Sequence, residues 1–80
     1  MASFKVVIAR SAEEEFRAVP FPFRRQVNQR IVGLKKDPCP PDCERLSEEE
    51  IYRLRVHGWH VLYEVDEAVS VVTIWAVLKD

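Results

Sequence analysis

The segment YRLRVHGWHVLYEV, residues 52–65, gathers two arginines and two histidines around one glycine. The His-Gly pair at positions 57–58 predicts a two-residue hairpin loop, because both residues tolerate the positive φ that such turns require. In that register Arg55 lies opposite His60, and Arg53 follows on the same face. Guanidinium groups beside an imidazole suit a phosphate-bearing ligand, since arginine binds phosphate oxygens in pairs and histidine exchanges a proton near neutral pH. A solvent-facing strand with ordinary alternating charge is the alternative interpretation.

The other face of the same hairpin is apolar and aromatic. The alternation predicts that this face meets the rest of the protein core, and a slip of one residue would invert the two faces. We expect both tryptophans to lie in the core, because each belongs to a stripe of otherwise apolar residues. The predicted core residues of the hairpin are Tyr52, Leu54, Val56, Trp59, Val61 and Tyr63.

Two helices are predicted between an N-terminal strand and the hairpin. FKVVIAR at residues 4–10 is β-branched and apolar, which indicates a strand. A capping box formed by Ser11 and Glu14 predicts that the first helix starts after Ser11 and ends before Pro20. Pro22 suits the first turn of a second helix. Its buried stripe, at helical spacing, consists of Phe23, Val27, Ile31 and Leu34.

The proline-rich stretch DPCPPDC ends the second helix and predicts a surface loop over residues 37–50. Three strands follow, at about 51–57, 59–66 and 69–78, with short turns between them. We therefore predict an α+β fold in which an N-terminal strand and a two-helix hairpin precede a three-stranded antiparallel meander. The strands would form one sheet with both helices on one face.

Length and composition indicate one soluble domain over residues 1–80, with a net charge of −1. The N-terminal stretch does not resemble a signal peptide, and no apolar run approaches the length of a membrane span. We expect a cytoplasmic protein in which both cysteines are reduced. Cys39, Cys43, His57 and His60 approach a zinc-ligand spacing, but the histidines lie too close together and straddle a turn, so we expect no metal.

Four segments of the chain together resemble the RelE/ParE superfamily of bacterial toxins. They are SAEEEFRAVP, LKKDPCPP, RLSEEEIYRLRVHGWHVLYEVDE and VVTIWAV, in the family's order and over nearly the whole chain. The resemblance implies a toxin of a type II toxin–antitoxin module with a RelE-like fold. Nuclease members cut messenger RNA on the ribosome without metal or cofactor, whereas ParE-like members poison DNA gyrase.

The basic residues of the nuclease type have counterparts in this sequence. Arg53 and Arg55 fall where those members place basic residues on the strand. Arg45 matches the basic residue before the leucine, and Lys79 stands where histidine or lysine is common. The resemblance thus implies that Arg53, Arg55 and His60 are catalytic, with Arg45 and Lys79 binding RNA.

The sequence also departs from the nuclease pattern. His60 stands at a position usually held by arginine, and a histidine there would serve as acid, base or protonated charge stabiliser. Asp80 falls where arginine is expected, Ser47 replaces a frequent basic residue, and the usual tyrosine of the ending is absent. The resemblance therefore implies a nuclease with a reduced active site.

Two other functions stay open beside this nuclease. One is a ParE-like gyrase inhibitor, and the other is a non-toxic member that only binds antitoxin. The expected partners are a cognate antitoxin and either the ribosome with its mRNA or gyrase. A homodimer in the absence of antitoxin also stays open, and no membrane contact is expected.

Overall fold

The computed structural model describes residues 3–80 and contains two helices beside one five-stranded sheet. The order of the strands across the sheet is β1-β5-β4-β3-β2. β1 is parallel to β5, and every other neighbouring pair is antiparallel. In chain order the elements are β1 (Lys5–Ile8), α1 (Arg10–Arg17), α2 (Phe23–Gly33), β2 (Glu44–Arg45), β3 (Ile51–Val56), β4 (Trp59–Asp66) and β5 (Val71–Lys79).

The predicted α+β fold is confirmed, and its details need two corrections. The sheet is mixed, because β1 joins the meander as a parallel edge strand beside β5. The loop predicted over residues 37–50 contains the two-residue strand β2, in which Glu44 pairs with Arg53 and Arg45 pairs with Tyr52. A pair of residues is too short to show a period, so the sequence pattern does not reveal this strand.

The core lies between the helices and one face of the sheet. Its helical side consists of Ala12, Val19, Val27, Ile31 and Leu34, all of them buried. Its sheet side is formed by alternate residues of the three long strands, as the hydrophobic alternation predicts. These residues are Leu54, Val56, Val61, Tyr63, Val65, Val72, Ile74 and Val77. The other face of the sheet is not covered by any element of residues 3–80 and is called the open face below.

The starts of both helices differ from the predictions. α1 begins at Arg10, its N-cap is Ala9, and no side chain caps it, so the predicted capping box does not form. The Ala9 N–H instead donates to Ile74 O, which ties the start of α1 to β5. Pro22 is the N-cap of α2, and Phe23 remains 40% exposed because it lies at the very start of the helix.

The prediction that Trp75 lies in the core is wrong. A β-bulge shifts the register so that Ala76 faces Leu62 and Ile74 faces Tyr63, which leaves Trp75 without a partner in β4. The side chain is 49% exposed, and its Nε1–H donates to Glu64 Oε1 at 3.1 Å. The bulge thus moves this aromatic ring out of the core, whereas Trp59 packs against the core as predicted.

Candidate functional site

The β3–β4 hairpin has the predicted turn and the predicted register. His57 has φ 48° and Gly58 has φ 83°, as a two-residue turn with positive φ at both positions requires. Arg55 lies opposite His60 in the ladder, and Arg53 lies opposite Leu62. Because side chains alternate between the faces of a sheet, Arg53, Arg55 and His60 share the open face.

Arg53 is held by a carboxylate that the sequence interpretation missed. Glu44 lies directly opposite it in β2, and Arg53 Nη2 donates to both carboxylate oxygens, at 2.6 and 2.8 Å. Hydrogen bonding and charge in this pair lower the pKa of Glu44 and raise the pKa of Arg53. The Nε of Arg53 is buried without a hydrogen-bond partner. The charge of Arg53 is therefore neutralised within the chain, while its Nε–H still lacks an acceptor.

His60 is also paired with a carboxylate. Its Nε2 contacts Asp80 Oδ1, and the two side chains are 17% and 51% exposed. The backbone N–H of Asp80 donates to Gly58 O at 2.8 Å, which fixes the end of β5 against the hairpin turn. The carboxylate that departs from the nuclease pattern is thus the direct neighbour of the candidate catalytic histidine.

Arg55 is the least restrained cation of this group. It is exposed, and among residues 3–80 it takes part in none of the side-chain ion pairs. At the edge of β3 that β2 does not cover, Arg55, Val56 and His57 also line a groove of about 380 Å³, whose other wall is formed by Gln26, Gln29 and Arg30 of α2 on the helix side of the sheet. Arg30 is itself paired with Asp42 at 2.6 Å, so Arg55 is the cation of this groove that has no carboxylate partner there.

Arg45 and Lys79 lie apart from the other three predicted site residues. Arg45 pairs with Tyr52 and Lys79 pairs with Trp59, and both of those partners are on the helix side of the sheet. The guanidinium of Arg45 donates to Ser47 O and Glu48 O at 2.9 and 3.0 Å, which stabilises the loop after β2. The alternation of side chains therefore directs both residues away from the open face.

The charges around Arg53, Arg55 and His60 nearly cancel. Arg53 and Arg55 supply two positive charges, and the neighbouring Glu44 and Asp80 supply two negative charges. A phosphate group can approach Arg55 freely, but it must displace Glu44 to reach the Nη2 of Arg53. The arrangement can orient a phosphate beside an imidazole, while it attracts a polyanion only weakly over long range.

The sequence could have indicated Glu44 through its position next to Arg45, had the loop been recognised as a strand.

Among residues 3–80, no three His, Cys, Asp or Glu side chains are grouped as a metal site would require. Cys39 and Cys43 are both free thiols in the loop before β2. Within the same described range, no helix is long and apolar enough to span a membrane.

Comparison with solved structures identifies the fold. A chain of the intact Escherichia coli RelBE toxin–antitoxin complex superposes with a TM-score of 0.86 and 19% identity, covering 98% of each chain. The archaeal RelE–RelB complex from Pyrococcus horikoshii gives a TM-score of 0.84 at 18% identity, covering 96% of this chain and 94% of that chain. The YoeB/ParE toxin from Agrobacterium tumefaciens gives 0.79 at 14% identity, covering 96% and 99%.

Sequence comparisons add nothing to this result, since no protein-family model and no curated sequence matches the chain. In each of the three structural matches the superposition covers nearly the full length of both chains, and all of the matches are to toxins or toxin–antitoxin complexes. The resemblance found in the sequence is thus confirmed in three dimensions, and the chain has the fold of the RelE/ParE superfamily toxins.

Proposed function

We propose that the chain is the toxin of a type II toxin–antitoxin module and acts as a RelE-like mRNA endoribonuclease with a reduced active site. The observation that carries the proposal is the row of Arg53, Arg55 and His60 on the open face of a toxin fold. Such an activity requires the ribosome and its mRNA as partners and implies a cytoplasmic location. Neither a metal nor a cofactor is needed for this chemistry.

The reaction that suits these groups is attack of a ribose 2′-hydroxyl on the adjacent phosphorus atom. His60 takes the proton of the 2′-hydroxyl as the 2′-O–P bond forms. Arg55 stabilises the charge that develops on the phosphoryl oxygens. The P–5′-O bond then breaks, and the departing 5′-oxygen takes a proton from water. Arg53 contributes once the phosphate has displaced Glu44.

Arg45 and Lys79 keep a lesser role in the proposal. Both side chains are exposed at the margin of the sheet, so each can contact RNA that extends beyond the reacting phosphate. Neither lies on the open face with the reacting groups, and we assign neither of them to the chemical step.

Induced expression in a bacterium, with total RNA mapped for new 5′ ends, tests the nuclease. We expect growth arrest and cleavage inside translated messages, both lost in Arg55→Gln and in His60→Ala. Arg17→Gln is the matched control, because this arginine of α1 is exposed and ion-paired with Glu13 at 2.6 Å. Arrest that survives both site variants would refute the nuclease.

A gyrase inhibitor is the second candidate, and the intrachain pairing of Arg53 and His60 with carboxylates favours it. A protein that performs no chemistry has no need of unpaired cations on this face. Purified protein would then block supercoiling by gyrase, and Arg55→Gln would leave the block intact. Harmless expression would instead indicate the third candidate, a non-toxic fold that only binds antitoxin.

An antitoxin is the partner that the neighbouring complexes suggest. The open face exposes Val7, Trp75 and Leu78 by 40%, 49% and 42%, so three large apolar side chains are partly exposed on this side of the sheet. Binding of an antitoxin segment would cover these side chains. Copurification with the product of the adjacent gene tests this partner, and size-exclusion chromatography of the chain alone tests for a homodimer.

A further inference from the structure

Asp80 and His60 form a carboxylate–imidazole pair whose geometry suggests more than charge balance. The Asp80 Oδ1 contacts the Nε2 of His60 specifically, so the two nitrogens of the ring have different surroundings. When a carboxylate accepts a hydrogen bond from one ring nitrogen, the proton stays there and the other nitrogen becomes the basic one. A pair of this kind is the usual way in which an enzyme orients a histidine that acts as a base.

The fold holds this pair in place from both sides. His60 lies within β4 and is hydrogen-bonded into the ladder opposite Leu78 and Arg55. The backbone N–H of Asp80 donates to Gly58 O, so the hairpin turn fixes the residue that carries the carboxylate. The imidazole is only 17% exposed, which restricts its rotation. Arg55, on the neighbouring strand, is the phosphate-binding group closest in register.

We propose that Asp80 is a positioning residue that fixes His60 as the Nε2–H tautomer and thereby presents Nδ1 as the base. The inference rests on the proposed nuclease function. During the reaction Nδ1 takes the proton of the 2′-hydroxyl, and the imidazole becomes an imidazolium. The Asp80 carboxylate keeps its hydrogen bond to Nε2–H and stabilises that positive charge, while it remains unprotonated itself.

Asp80 could instead hinder catalysis, because its negative charge would repel the phosphate of the RNA. The contact with the ring nitrogen limits this repulsion, because the carboxylate is engaged by His60, although its charge also reaches Arg53 and contributes to the raised pKa of that guanidinium. Glu44 differs in this respect, since it binds the guanidinium of Arg53, which would otherwise be free to bind phosphate. Glu44 and Asp80 therefore have different consequences for catalysis.

Nitrogen-15 NMR of the imidazole rings tests the proposal without any activity. In the wild-type protein, at a pH where the rings are neutral, we expect His60 to show a dominant Nε2–H tautomer. His57, which lies exposed in the turn, is the internal reference. Asp80→Ala should move His60 towards the tautomer mixture of His57. A wild-type His60 that already shows the His57 mixture, or an unchanged spectrum in Asp80→Ala, would overturn the proposal.

Cleavage of ribosome-bound mRNA at saturating protein is the second measurement. Asp80→Ala should lower the rate by roughly 10- to 100-fold, a part of the 10²–10⁴ that a positioned acid or base contributes. Asp42→Ala is the matched control, since Asp42 is an exposed, ion-paired aspartate that does not contact a histidine. Faster cleavage by Asp80→Ala would show that the carboxylate inhibits. If the wild-type protein were inactive, the proposed nuclease function would be refuted. The NMR measurement would still decide whether Asp80 fixes the tautomer of His60.

Discussion

Glu44 should control how strongly the open face attracts RNA, and Glu44→Gln removes that control with little change of shape. The glutamine keeps the size of the side chain and the backbone pairing of β2 with β3. It removes the negative charge that binds Arg53 through two contacts at 2.6 and 2.8 Å. The pKa of Glu44 is lowered by Arg53, so the wild-type carboxylate is ionised throughout the neutral range.

The size of the effect follows from the number of free cations. In the wild type, Arg55 is the arginine of this face without a carboxylate partner among residues 3–80, and in Glu44→Gln Arg53 joins it. Each phosphate contact with single-stranded nucleic acid adds about −0.7 to the slope of log affinity against log salt concentration. We therefore expect the slope in the variant to be steeper than that in the wild type by about 0.7, since contacts made by Arg45 and Lys79 contribute equally to both proteins. The additional loss of affinity between about 50 and 200 mM salt is then roughly threefold.

Fluorescence anisotropy of a labelled single-stranded RNA, titrated at several salt concentrations, measures both slopes. Glu13→Gln is the matched control, because Glu13 is an exposed glutamate paired with Arg17 at 2.6 Å on α1. It changes the net charge by the same amount but lies on the helix side of the sheet. Equal slopes for the two variants would mean that only total charge matters. An unchanged slope in Glu44→Gln would refute the claim that Glu44 masks Arg53.

Three further predictions concern stability, and chemical or thermal unfolding measures each of them. Tyr63→Phe removes the hydrogen bond that the buried hydroxyl donates to Pro38 O at 2.8 Å, and should lower the free energy of unfolding by about 1 kcal/mol; an unchanged stability would show that the loop carbonyl finds another donor. Gly58→Ala adds a Cβ that meets no atom within 4 Å, so only the φ of +83° opposes it, at about 1–2 kcal/mol. The Arg30 guanidinium lowers the pKa of Asp42, so this pair stabilises the fold above the unfolded pKa of 3.8 and ceases to do so as the pH falls through the lower folded value. Asp42→Asn should therefore be less stable than the wild type at neutral pH and equal to it in acid, and a constant difference would contradict this assignment.

The hairpin was predictable because two independent signals agree on its register. The His57-Gly58 turn fixes the loop length, and the alternation of apolar and charged residues fixes which face is buried. A slip of one residue would place Leu54 and Val61 in solvent and two arginines in the core. No other register satisfies both signals, so Arg53, Arg55 and His60 could be placed on one face from the sequence alone.

The parts that could not be predicted depend on contacts distant in the chain. β2 is two residues long, and Glu44 becomes a strand residue only because β3 offers it a partner. Trp75 leaves the core because a bulge interrupts the alternation of β5, and bulges have no reliable sequence pattern in a run of apolar residues. α1 starts early because β5 ties the backbone of Ala9. Local propensity describes none of these three interactions.

The carboxylates of Glu44 and Asp80 distinguish the candidate functions more directly than the arginines do. In a nuclease, Asp80 can orient His60, whereas the substrate phosphate must displace Glu44 from Arg53. A gyrase inhibitor needs neither effect, and a fold that only binds antitoxin would tolerate the loss of both carboxylates. The pair of variants Glu44→Gln and Asp80→Ala therefore has opposite expected effects on RNA cleavage only if the open face is a catalytic site. That opposition is a stronger test than the loss of Arg55, because loss of an arginine would also weaken any site that merely binds an anion.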